Sequence, residues 1–237
     1  MKFIDRLERK LGKIYITGLM NYLLIGIAAV YLMDLVGLNA SRWLYFDKEL
    51  ILRGQVWRVL TYMLVPEYGG IRDLLYQALI LYFWWFVGTT LENSLGSRRF
   101  FLYYLIGTLC NIICGFVFGD LPVVRLMNAY GVYQCPTNYY LHYAMFFGFA
   151  LLYGDQQMLL FFFIPVKAKW IALLDLGFYI YNIIICFTGL WSPDWCTFAL
   201  IMISLLPIVL FFPYDLKRMA MSVRSTVSRW LIRIRNR

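Results

Sequence analysis

Charge is scarce in this chain, and histidine scarcer. Of 237 residues, 15% are charged and one is a histidine, His142, against 62% hydrophobic and 19% aromatic. A water-soluble domain of this length carries far more charge. The five cysteines show no metal-ligand spacing, so no metal and no cofactor is implied. Cys110 and Cys114, four apart in an apolar run, read as small buried hydrophobes, while Cys135 and Cys196 leave a disulfide open. There is no flexible linker, repeat or low-complexity tract, which predicts a single helical domain. No small-residue cleavage site follows the first apolar run, so that run reads as a membrane span rather than a removed signal.

What is present is a succession of apolar windows long enough to cross a bilayer. They fall at about 16–37, 71–93, 99–119, 139–161, 168–190 and 195–213. Lys2, Arg6, Arg9, Lys10 and Lys13 precede the first; Arg98 and Arg99, then Lys167 and Lys169, lie in two further turns. Lys217, Arg218, Arg224, Arg229, Arg233, Arg235 and Arg237 follow the last. Positive residues stay on the cytoplasmic side, which predicts both termini there, as an even number of spans requires. The net charge of +9 is spread over these cytoplasmic ends, where anionic lipid attracts it; nucleic acid is not implied. In the tail, Leu216, Met219, Val223, Val227, Trp230, Leu231 and Ile234 recur near helical spacing with arginines between them, the pattern of an interfacial amphipathic helix. The predicted organisation is an amphipathic segment at 1–15, a membrane domain at 16–213 and a basic cytoplasmic tail at 214–237.

Residues 38–70 are too polar to span, yet hold Trp43, Tyr45, Phe46, Trp57 and Leu60; such a loop lies at the interface or packs into the bundle. Within it, Trp57 anchors at the headgroup level and Arg58 donates to carbonyls in a tight turn; the alternative is an ordinary snorkelling arginine. Glu92 stands between Gly88 and Gly96 and is expected to accept backbone N–H bonds from the turn into the third span. Pro165, Lys167, Lys169 and Trp170 read as the start of the fifth span. Asp175, near the cytoplasmic face, is expected to pair with a lysine or reach water. With Asp34 it makes no buried carboxylate chain of the kind a proton-coupled pump needs.

Three segments in order, GQVWRVLTYMLVP (54–66), FVGTTLENSLGSRRFFLYYLIG (86–107) and FALLYGDQQMLLFFFIPVKAKW (149–170), resemble the rhomboid superfamily. The resemblance covers roughly residues 1–213 and implies an all-α, six-transmembrane-helix bundle with a long interfacial first loop. Active rhomboids pair a serine, in a Gly-x-Ser-Gly start to span four, with a histidine in span six. Here the corresponding stretch holds Thr137, Asn138, Tyr139 and Tyr140, and CTFALIMISLLPIVLFFP in span six has no histidine. A hydroxyl needs a base within hydrogen-bond reach to act as nucleophile, so the family's dyad is missing and the chain reads as a pseudoprotease, not an enzyme.

His142 is the lone catalytic candidate. Ser204 is a doubtful partner, because helical rise sets it about 14 Å into span six whereas His142 is about one turn into span four. Thr137 or Cys196 is sterically easier, without a third group to orient the ring. The plainer reading is a hydrogen-bonded helix residue partnered by Asn111 or Asn182. The resemblance further implies that client transmembrane helices enter between spans two and five, past Tyr82, Trp84, Trp85, Phe178 and Tyr181. The expected function is binding of other membrane proteins, in quality control or trafficking, from a bacterial plasma membrane. The alternatives are a protease with an unusual nucleophile, and a small transporter or channel component.

Overall fold

The computed structural model describes residues 2–12, 15–67, 70–119, 136–160, 164–188, 195–218 and 221. A polar helix, α1 (Lys2–Leu11), precedes α2 (Leu19–Leu35); the loop after it carries three short helices, α3 (Ser41–Leu44), α4 (Lys48–Leu52) and α5 (Arg58–Thr61). The long helices α6 (Leu74–Leu95) and α7 (Ser97–Phe118) follow, then α8 (Tyr139–Tyr153), α9 (Ala168–Thr188), α10 (Trp195–Ser204) and α11 (Leu206–Phe211). Ile71–Leu95 and Ser97–Phe118 are long and apolar enough to cross a membrane, and Leu19–Leu35 and Phe198–Phe211 are shorter apolar helices. The chain turns sharply between α6 and α7 at Gly96, whose φ of 82° lies where a side chain is strained.

α8 is the central element. It packs against α6, α7, α9, α10 and α11, whereas α6 and α9 share no substantial packing among the described residues. Leu141, Met145 and Phe149 of α8 are fully buried in one core with Met20, Val87, Leu91, Phe100 and Tyr103. The backbones of α7 and α8 approach so closely that a Cβ on Gly107 would lie 2.3 Å from Leu141 Cδ1. Outward positions, by contrast, are apolar and exposed: Ile25, Leu75, Ile113, Leu173, Ile180 and Val209. That is the inverse of a soluble bundle's polar exterior and fits a hydrocarbon solvent.

The fourth apolar window is not one helix. α8 ends at Tyr153, and β1 (Gln157–Leu160) pairs antiparallel with β2 (Ile164–Lys167), Gln157 opposite Lys167. An all-α fold predicted from hydropathy is corrected here by a small hairpin. Gly154 and Asp155 interrupt the run, and the paired strands satisfy backbone groups that an unpaired extended segment would leave bare. Pro165 sits in β2 opposite Leu159 rather than just before a helix. The hairpin is tied to α9 by Lys169 Nζ, which donates to Asp155 Oδ1 at 2.6 Å. That contact, with the charge of Lys169, holds the Asp155 carboxyl below its ordinary range. α10 stops at Ser204 and α11 restarts with Pro207 in its first turn, where a missing N–H costs nothing.

Candidate functional site

Two polar centres are built where the loop after α2 meets the bundle. The first lies in the loop. Arg58 is 3% exposed; its Nε donates to Gln55 Oε1 at 2.7 Å, and Nη1 to the carbonyls of Tyr45 at 2.9 Å and Arg42 at 3.1 Å. Its guanidinium also covers the Tyr45 ring at 4.9 Å. Trp57, half exposed, donates from Nε1 to Trp43 O at 3.1 Å. Beneath this knot Phe46, Ile51 and Tyr62 are buried, with Phe46 edge-on to Phe116 of α7 at 5.3 Å. The loop therefore grips the bundle as well as carrying exposed tryptophans.

The second centre surrounds His142, 2% exposed on α8. Its Nδ1 is 3.5 Å from Glu67 Oε1 and its Nε2 3.4 Å from Tyr104 OH. If Nδ1 carries the proton and donates to Glu67, Nε2 accepts from the Tyr104 hydroxyl. The Trp84 ring lies beside the imidazole at 5.2 Å. Neither Asn111 nor Asn182 partners His142. Asn111 Nδ2 donates to Thr137 O at 3.5 Å, and Asn182 Nδ2 to Phe178 O in its own helix at 2.8 Å.

The residues at 137–140 hydrogen-bond to their own turn and to neighbouring elements. Thr137 Oγ1 accepts from Tyr139 N at 3.3 Å, Asn138 Nδ2 donates to Met63 O, and Tyr140 O accepts from Tyr179 OH at 3.2 Å. Ser204 is buried and donates to Ile201 O at 2.8 Å. His142 turns its nitrogens to Glu67 and Tyr104, so the two do not form a pair. Cys135 and the side chain of Cys196 lie outside the described residues, as does most of the 214–237 tail.

Other expectations need correction. Glu92 Oε1 accepts from Gly18 N at 2.7 Å, bracing the entry of α2 rather than the turn into α7, because α2 passes beside α6 at Gly88, where a Cβ would stand 2.4 Å from Met20 Cγ. Asp175 pairs with no lysine: it is 5% exposed with Oδ2 unpartnered, since Lys167 and Lys169 turn to Asp155. Trp84 is 4% exposed and faces His142, so it does not line an outer gate. Trp85 donates from Nε1 to Asn21 Oδ1 on α2 at 2.9 Å, with the Tyr82 ring 6.0 Å from its own; this pair sits on the α2 side. Phe178, Tyr181 and Trp170 are exposed on α9.

Glu67, Gln77 and Tyr104 were not singled out from the sequence. Gln77, a buried amide inside an apolar helix, carried the signal that could have been used. Glu67, 75 residues from His142, carried none.

Fold and site together define a helical membrane protein with a polar cleft at one end of its bundle. The rhomboid domain family matches residues 53–127, which include Gln55, Trp57 and Arg58 of the loop knot and all of α6 and α7. The chain is also 38% identical over 76 residues to rhomboid protease GluP of Bacillus subtilis (strain 168), a match that spans 32% of this chain and 14% of that protein. No solved structure matches. Over this stretch the chain is similar to the rhomboid domain family, and it spans about a seventh of the length of the relative it matches.

Proposed function

We propose that this is a catalytically inactive rhomboid-family protein, crossing a bacterial plasma membrane six times with both ends cytoplasmic, that binds transmembrane segments of other proteins. The observation that carries the reading is the company of His142: a carboxylate and a phenol within 3.5 Å and, among the described residues, no serine, threonine or cysteine side chain hydrogen-bonded to the ring. Tyr104 is 2% exposed, packed in the core, where a peptide carbonyl has no approach. Peptide scission needs an activated nucleophile within reach of that carbonyl. Client entry is supported by the limited packing between α6 and α9 and by the exposed aromatics Phe178 and Tyr181. The 214–237 tail, by its charge, docks on anionic lipid.

A photo-crosslinking residue at Phe178 or Tyr181 should capture membrane-protein clients, and one at Leu52 in the loop should not. Equal capture at both positions, or none above an unrelated multi-span control, would defeat the reading. A second reading, an active protease, draws on the Glu67–His142–Tyr104 order, which has the acid–imidazole–hydroxyl sequence of a triad, and on the likeness of part of the chain to a rhomboid protease. It requires that Tyr104→Phe abolish cleavage of a transmembrane substrate.

A further inference from the structure

Beside His142 lies a cleft that client entry between α6 and α9 does not use. Its enclosed volume is about 10 Å³, room for one water-sized group such as an ammonium head, and it opens to the surface; Glu67, Gln77, Trp84, Asn138 and His142 supply its polar wall, with Ile27, Ile80 and Leu81 as apolar lining. Gln77 is 2% exposed and Trp84 and Asn138 are 4% exposed. Gln77 Oε1 and Asn138 Oδ1 accept no hydrogen bond, and Trp84 Nε1 donates none. Buried polar atoms are otherwise nearly always paired, so these atoms mark a place shaped for a partner.

We propose that this cleft seats a primary ammonium group, R–NH3+. The Glu67 carboxylate is the wall's formal charge, and no lysine or arginine lines it, which disfavours an anion. An ammonium offers three N–H donors and no acceptor; Glu67, Gln77 Oε1 and Asn138 Oδ1 are three acceptors. The Trp84 ring adds a face to which a cation is attracted, and the aliphatic residues receive an alkyl stem, as lysine stems are received elsewhere. Glu67, with 14% of its side chain exposed, marks the way in. Trp84 Nε1 asks for an acceptor, which a water would supply; a site for water alone is therefore the competing outcome. The ammonium can come from a free alkylamine or from a lysine near the outer end of a transmembrane helix.

Because the chain has one histidine, selective isotope labelling of histidine gives a single imidazole signal, an internal reporter beside the cleft. Purified full-length protein in nanodiscs is titrated at fixed pH with n-propylammonium, with n-propanol, and with a transmembrane peptide bearing one outer-turn lysine or a norleucine in its place. The seat predicts a saturable shift of the His142 signal with propylammonium and none with propanol. Gln77→Leu should weaken it about tenfold and Glu67→Gln at least as much, as lost charge-assisted bonds do. Unchanged thermal unfolding of both variants keeps that loss specific. A shift with the lysine peptide but not the norleucine peptide assigns the source to a helix; a shift with propylammonium alone assigns it to a free amine. No saturable shift with either amine, an equal shift with propanol, or full binding by Glu67→Gln overturns the proposal. Client capture at Phe178 is read separately, so either result can fail without the other.

Discussion

Arg58 and His142 are both buried, both polar and both at the loop end of the bundle, yet their surroundings differ in kind. The hydrogen bonds of the guanidinium are short, from 2.7 to 3.1 Å, and its acceptors are two backbone carbonyls and an amide oxygen. The imidazole has contacts at 3.4 and 3.5 Å, the long edge of hydrogen bonding, and neighbours with unpartnered atoms. A saturated centre is a structural knot, because any change leaves a buried group bare. An unsaturated one has capacity left over for a ligand. The contrast assigns fold stability to the loop and recognition to the cleft.

The largest expected effect is at the knot. Arg58→Ala should lower stability by about 3 kcal/mol, since it strands several buried acceptors, and Arg58→Lys should restore only part, an ammonium lacking the planar fork. Reversible unfolding in mixed micelles measures both. Next, Gly107→Ala forces Leu141 and hence α8 aside, at about 1–3 kcal/mol, and should broaden the His142 signal. Glu67→Gln, by contrast, should cost no more than about 1 kcal/mol, being a long contact at a partly open site; a loss equal to that of Arg58→Ala would erase the distinction between the two centres. The smallest effect belongs to the exposed pair at the hairpin. Because Lys169 holds the Asp155 carboxyl low, the pair's contribution is complete above the ordinary carboxylate range, near pH 4, and disappears as the pH falls through the lowered value. A titration of the Asp155 carboxyl by carbon NMR should show that displacement, and Lys169→Met should remove it.

The knot was readable from residues 54–66, because a tryptophan and an arginine in an aromatic-rich loop have few physical uses. The cleft was not. Three successive aromatics, Phe83, Trp84 and Trp85, fit the same hydropathy, and only packing decides that Trp84 turns inward while Trp85 reaches Asn21. The partners of His142 come from a loop after Pro66 and from α7, at sequence separations of 75 and 38 residues, which no local spacing encodes. The run after Tyr153 was misread for a related reason: hydropathy alone does not separate a paired apolar strand from the end of a buried helix.

The central proposal is that His142 activates no nucleophile; among the described residues its ring meets only Glu67 and Tyr104 by hydrogen bonding. Purified protein in proteoliposomes, given a transmembrane substrate and a serine-reactive phosphonate, tests it directly. The proposal predicts neither cleavage nor labelling. Cleavage that disappears in His142→Ala or Tyr104→Phe would contradict it.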